Sequence, residues 1–177
     1  MEIEDRCIHT LGHGDRELKP FLALLLAHGI ETVLDIRAQP ASGRFPHFTM
    51  DVLRQSLGDI GIHYHWAGRH LGGRREARPD TVHEALADPG LRGFADHMHS
   101  PEFLTAMRQM QNLAAASPSV ILCAERDPQF CHRRLIADHL VLAGWTVIHL
   151  LDEKRAQEHL LSPEARRESA ELIYDRY

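Results

Sequence analysis

"SVILCAERDPQFCHRRLIADHLVLAGWTVIHLL", residues 119–151, decides the fold. It opens on a short apolar, partly β-branched run that ends in Cys123, Ala124 and Glu125, and it closes on a second such run over 146–151. Between them, Asp127 followed by Pro128 reads as an N-cap with proline at the first helical position. Gly144 stands just past the last helical residue, where a left-handed cap is preferred. A helix is therefore predicted over about 128–143, with Cys131 and His132 close to its N-terminus. Strand, helix and strand of these lengths form a βαβ crossover, which implies parallel strands.

The same alternation extends to both sides. The apolar runs "CIHTLG" (7–12), "ETVLDIR" (31–37) and "IHYHW" (62–66) are separated by helical patterns at 17–28, 50–60 and, in two stretches, from about 92 to 116. Gly29 follows the first helix as a cap, Ser100 and Pro101 open another, and Pro20 requires the first helix to start near Glu17. The expected fold is one α/β domain of three layers, with a mostly parallel sheet of about five strands flanked by helices. Residues 152–177 are expected to form a C-terminal tail or helix, and a final helix would start at Ser162 and Pro163.

Composition bounds what such a domain does. At 177 residues the chain suits one domain with a real core, and 44% hydrophobic and 25% charged residues are globular values, not those of a disordered chain. The longest strongly apolar run, "FLALLLA", is too short to span a bilayer, and the acidic start "MEIED" lacks the positive region of a signal peptide. The expectation is a cytoplasmic protein without a membrane partner. Three sparse cysteines fit a reducing compartment and read as thiols or ligands. The net charge of −5 argues against a surface coated for nonspecific nucleic-acid binding, yet the arginines cluster locally in predicted loops and helix starts.

Ligands of open parallel sheets bind outside the carboxyl ends of the strands. The strand exits here read "LGHGDR", "DIRAQPASGRFPHF", "AGRHLGGRRE" and "CAERDPQFCHRR", all rich in chemistry-bearing side chains. They would bring His13, Asp35, Arg37, Arg69, Arg74, Cys123, Glu125, Cys131 and His132 to one cleft. Three readings compete at the last exit. A helix N-terminus after Asp127 would hold a phosphate or carboxylate, clamped by Arg133 or Arg134. Cys131, beside His132 and arginines, would be an activated nucleophile. Cys123, Glu125, Cys131, His132 and His13 would offer metal ligands, although the C-x7-C spacing is not that of a zinc knuckle. Plainer roles stand beside these: Cys123 as a buried inert thiol, Asp35 and Arg37 as a same-side ion pair, and His28, His83 and His159 as solvated histidines.

Several of these motifs carry a family likeness. "IHTLGHGDRELKPFLALLLAHGIETVLDIRAQPASGRFPHF", followed in order by "LGGRR", "GFADHM", "SPEF" and "CAERDPQFCHRRLIADHL", resembles the bacterial domain-of-unknown-function family 488 (DUF488) from about Ile8 to Leu150. The resemblance implies a single α/β domain and picks out His13, Arg16, Asp35, Arg37, Pro40, Phe48, Gly72, Gly73, Arg74, Cys123, Glu125, Cys131, His132 and Arg133 as motif positions. It assigns none of them a role.

The leading expectation is an enzyme or enzyme-like domain that binds an anionic small molecule or nucleic acid, nucleotide-related, at the strand ends. His13 and Glu125 would be its acid and base and Cys131 its nucleophile, with Arg37, Arg74 and Arg133 holding the anion. Asp35, Arg44, Gly72, Gly73 and His132 complete the expected ligand site. The rival classes are a noncatalytic nucleic-acid-binding adaptor and a metal-dependent hydrolase. No cofactor or oligomeric state follows from the sequence.

Overall fold

A computed structural model describes residues 6–177, so the acidic start "MEIED" lies outside the described residues. Strands β1 (Cys7–Gly12), β2 (Thr32–Asp35), β3 (His63–Trp66), β4 (Ser119–Cys123), β5 (Thr146–Leu150) and β6 (Ala156–Glu158) form one sheet in the order β3-β2-β4-β1-β5-β6. All neighbours pair in parallel except β6, which runs antiparallel to β5. The five strands read from the sequence are the parallel ones, and β6 adds a sixth at the edge.

Strand alternation divides the core between two helical layers. Val33, Val120, Leu122 and Leu11 face α1 (Leu18–Ala27) and α2 (Met50–Asp59), where they meet Phe21, Leu25, Leu53 and Leu57. Ile8, Leu34, Ile121, Cys123 and Val147 face the other layer. There, α3 (Gly68–Leu71), α4 (Pro89–His97), α5 (Pro101–Ala116) and α6 (Arg133–Leu142) supply Leu71, Phe94, Phe103, Met107, Leu135 and Leu140. Local signals hold where they were strong. Ser100 accepts from Phe103 N with Pro101 at the first helical position, and Gly29 and Gly144 adopt φ +65° and +87° behind their helices.

The adjacent strands β1 and β4 send their following helices, α1 and α6, to opposite faces of the sheet. That arrangement is the topological switch point, where a crevice opens at the strand ends. The two exits are sewn together: His13 N donates to Cys123 O and Gly14 N to Ala124 O, each at 2.9 Å. A Cβ on Gly12 would collide with the Glu125 carbonyl, so the close approach of these backbones requires glycine.

The C-terminal segment departs from expectation. No helix starts at Ser162. Residues 152–177 instead add β6 to the sheet and form a hairpin of β7 (Ala165–Glu168) and β8 (Glu171–Tyr174). Leu172 and Tyr174 are buried in the core of the α4–α6 face, which anchors the hairpin. None of the helices among the described residues is long and apolar enough to cross a membrane.

Candidate active site

Cys123 ends β4 on the face that α6 covers. The loop beyond it does not enter the helix at once. Asp127 accepts from Gln129 N at 2.9 Å, but it caps only a 3-10 turn, Pro128–Phe130. Cys131 is then extended, with φ −129° and ψ 142°, and α6 begins at Arg133. The helix expected from residue 128 is thus delayed, and Cys131 lies ahead of it rather than inside its first turns. The extended residue turns its sulphur onto Cys123, at an Sγ–Sγ distance of 2.8 Å. Both residues carry thiols.

Arg133, expected among the ligand-holding arginines, is fully buried. Its Nε donates to Thr10 Oγ1 at 3.2 Å and its NH2 to Arg126 O at 3.0 Å, while NH1 donates to Glu125 O and, at 2.8 Å, to Cys123 Sγ. Among the described residues no carboxylate pairs with it. A buried cation needs a compensating charge. Of the groups this guanidinium touches, only the Cys123 thiol can supply one. Burial pushes that thiol up, but the hydrogen bond with Cys131 and the charge and hydrogen bond of Arg133 outweigh it and bring it down to about 7. The same sulphur contact, helped by burial, pushes Cys131 well above the ordinary thiol range. The pair thus divides into a more acidic thiol, Cys123, and a less acidic one, Cys131.

His132 lies beside this pair. Its Nε2 donates to Leu71 O at 3.0 Å, which leaves the Nδ1 lone pair 3.7 Å from Cys131 Sγ. Burial, reinforced by Arg133, outweighs the Leu71 bond and lowers the ring to about 4, so His132 is neutral near pH 7. A Cβ on Gly73 would overlap the ring at Nδ1, so the "LGGRR" glycine serves the packing of the histidine. Gly72 is packed as tightly, against Gly68 O and Ala38.

The β2 exit is built differently. Asp35 is wholly buried and accepts from Arg37 Nε at 2.9 Å, Arg37 NH2 at 2.7 Å and Tyr64 OH at 2.5 Å. Arg37 completes its bonds with Phe48 O at 2.7 Å and His13 Nε2 at 3.4 Å. Asp35 therefore has no face toward a ligand, and it forms the same-side ion pair that strand alternation allows. His13 donates from Nδ1 to Gly14 O at 2.8 Å and stacks on Phe48, with ring centroids 4.2 Å apart. Burial and the Arg37 charge outweigh the Gly14 bond and lower His13 to about 4. Its one lone pair faces Arg37, so it supports that arginine.

Between the two exits lies a cavity of about 300 Å³ that reaches Cys123, Cys131 and His132, with Arg37, Gln39 and Arg74 among its walls. A second cavity, about 520 Å³, adjoins it and shares Arg37, Gln39 and Glu125, with Arg44 on its far side. Arg44 and Arg74 are exposed, make no ion pair among the described residues, and supply positive charge at the rim. Arg74 holds the left-handed conformation, φ 56°, uncommon for a side-chain-bearing residue. Glu125 is also exposed at this rim, accepting from Asp127 N at 3.2 Å. Among the described residues, no three His, Cys, Asp or Glu side chains converge as a metal site would require.

A family model for the domain of unknown function DUF488 matches residues 17–140, well over half of the chain. The chain belongs to the DUF488 family. The matched span is narrower than the likeness read from Ile8 to Leu150, and it contains Asp35, Arg37, Arg74, Cys123, Cys131 and Arg133 while leaving His13 ahead of it. No match was found among the curated proteins or the solved structures.

In this DUF488 chain the sequence also hid the groups that stand behind Arg133. Thr10, Asp138, His149, His159 and Tyr174 form a buried polar cluster behind Arg133. His159, expected in solvent, is 7% exposed, and His83, likewise expected there, is 1% exposed, while His28 is half-buried. The one signal in the sequence was a polar Thr10 and a polar His149 within largely apolar runs, which the fold makes register partners on β1 and β5.

Proposed function

We propose that this DUF488 chain is an enzyme-like domain that holds an anionic substrate at the strand-end cleft and attacks it with the Cys123 thiolate, Cys131 acting as the second thiol. The carrying observation is the buried Arg133 guanidinium, without a carboxylate partner among the described residues, donating to Cys123 Sγ, with Cys131 Sγ 2.8 Å away. The nucleophile read from the sequence, Cys131, thereby becomes the resolving thiol. Two thiols this close suit attack on a disulfide, because the mixed disulfide formed at Cys123 is within reach of Cys131.

The balance is simple. Cys123 thiolate attacks one sulphur of R–S–S–R′, a Cys123–S–S–R bond forms, and R′–S⁻ leaves. Cys131, whose S–H the His132 Nδ1 lone pair can accept as a hydrogen bond, then loses its proton to water and attacks Cys123; the intramolecular disulfide forms and R–S⁻ departs, taking up a proton from water. Two electrons pass from the dithiol to the substrate, and an external dithiol restores the protein. Arg74 and Arg44 would draw in an anionic substrate, and the reading places the protein in the reducing cytoplasm, where such reductants are held.

The test uses reduced protein with oxidised glutathione as the anionic disulfide and hydroxyethyl disulfide as the neutral one. Released thiol and intact mass are followed, and thermal shifts are recorded with nucleotides and single-stranded oligonucleotides. The expected result is faster turnover of the anionic disulfide, none in Cys123→Ser, and a mixed disulfide trapped on Cys123 in Cys131→Ser. Disulfide turnover that does not depend on Cys123 would overturn the proposal. So would saturable oligonucleotide binding that survives Cys123→Ser with no turnover at all, the signature of a noncatalytic nucleic-acid adaptor.

A further inference from the structure

Behind Arg133, away from the cleft, runs an unbroken line of buried polar side chains. Arg133 Nε donates to Thr10 Oγ1, and Thr10 Oγ1 lies 2.6 Å from His149 Nδ1. His149 Nε2 lies 2.9 Å from His159 Nδ1, and His159 Nε2 lies 2.8 Å from Asp138 Oδ1. Asp138 also accepts from Ser162 N at 2.8 Å and from Tyr174 OH at 2.9 Å. Every side chain in this line is buried.

The hydrogens in the line follow one direction. A guanidinium only donates, so Thr10 Oγ1 accepts from Arg133 and its own hydrogen is left for His149 Nδ1. Burial, with the charges of His159 and Arg133, lowers His149 to about 3, so the ring is neutral and its single hydrogen sits on Nε2. That hydrogen goes to His159 Nδ1, and His159 gives its own from Nε2 to the Asp138 carboxylate. The opposite polarity would leave the Thr10 hydroxyl hydrogen without an acceptor. Tyr174, whose phenol is pushed well above its ordinary range by burial and by Asp138, stays a donor at the far end. The charged groups around that end are Asp138, Arg134 and Glu164.

We propose that Thr10, His149, His159 and Asp138 are positioning residues for the thiol: a one-way hydrogen-bond chain, closed by the C-terminal segment, that holds Arg133 against the Cys123 sulphur. Each acceptor in such a chain is strengthened by the next, up to the carboxylate, so Thr10 becomes a better partner for Nε and the guanidinium is fixed with NH1 on the sulphur. The alternation of the sheet makes this possible. Thr10 and His149 are register partners on β1 and β5, on the face shared with Cys123 and α6. His149, His159 and Tyr174 lie beyond residue 140, so part of this support comes from outside the span matched by the family model. The proposal rests on Cys123 being the attacking thiolate.

The decisive variant is Thr10→Val, which keeps the shape of the side chain and removes the link between the histidines and Arg133; Thr10→Ser keeps the hydroxyl. Thiolate formation at Cys123 is followed by ultraviolet absorbance against pH, with the Cys123→Ser trace subtracted, and melting temperature is measured alongside. Thr10→Val is expected to raise the thiol pKa by about one unit, a roughly tenfold smaller thiolate fraction at pH 6, with Thr10→Ser within about twofold of the parent. A Thr10→Val protein that melts lower but titrates like the parent would overturn the positioning role and leave a structural one. A parent without a Cys123 thiolate near neutral pH would instead overturn the function on which it rests. If Thr10→Val does not fold, nitrogen NMR of the parent decides. His149 and His159 should both carry hydrogen on Nε2, with signals that shift as Cys123 titrates; rings of the other tautomer, or blind to that titration, would refute the chain.

Discussion

Two buried arginines stand at neighbouring strand exits, and their partners differ. Arg37, behind β2, is paired with the buried Asp35 carboxylate in a two-point ion pair. Arg133, behind β4, touches carbonyls, a hydroxyl and a sulphur. At Arg37 the charge is met by a carboxylate gripped at two points, so the exit is locked. At Arg133 compensation comes from a group that is neutral or charged as it titrates, so that exit is where chemistry is available. The difference teaches that an arginine read from sequence as a ligand clamp acquires its meaning from the acidity of what it touches.

The largest expected effect strikes both exits at once. His13, beside Arg37, and His132 and His149, beside Arg133, are held to about 4, 4 and 3. An unfolded chain binds those protons below about 6.5. Between about pH 6.5 and 4 the unfolded state therefore holds more protons than the folded one, so stability falls as pH falls, by on the order of several kcal/mol. Denaturant midpoints across that window check it; a flat profile would contradict the neutral rings.

Separating the two arginines gives the next effect. Arg37→Met and Arg133→Met should each lower stability by about 3–5 kcal/mol, the first by leaving Asp35 buried without its cation, the second by stranding Glu125 O and Arg126 O. Only Arg133→Met should return Cys123 to the ordinary thiol range or above. Chemical unfolding together with thiolate absorbance reads both quantities, and an equal change of thiol titration in the two variants would erase the contrast between the exits.

Smaller changes refine it. Gly73→Ala must displace the His132 ring, with an expected loss of about 1–3 kcal/mol and slower closure of the Cys123–Cys131 disulfide than of its first step, seen by stopped-flow with oxidised glutathione. Arg74→Ala should leave stability within about 0.5 kcal/mol. It should raise the KM for the anionic disulfide and leave that for hydroxyethyl disulfide unchanged.

The sequence was most legible where local chemistry dictates the outcome. Gly144, the Ser100–Pro101 start and the apolar run over 119–123 mark the crossover units by turn and pattern alone. The short strands "AQE" and "ARRE" carry no apolar alternation, so pairing with β5 and β8 decides them. Cys131 was legible as reactive but not as the partner of Cys123, because one extended residue between a 3-10 turn and α6 sets that distance. The burial of Arg133 and of His159 depends on three elements distant in sequence meeting on one face. Nothing within either residue's own neighbourhood in the sequence announces it.

The most direct measurement of the central claim is the ultraviolet titration of reduced protein, parent against Cys123→Ser. The account predicts one thiolate appearing near pH 7 in the parent and missing from Cys123→Ser, with Cys131 still protonated. Absorbance that rises only in the ordinary thiol range, equally in both proteins, would contradict it.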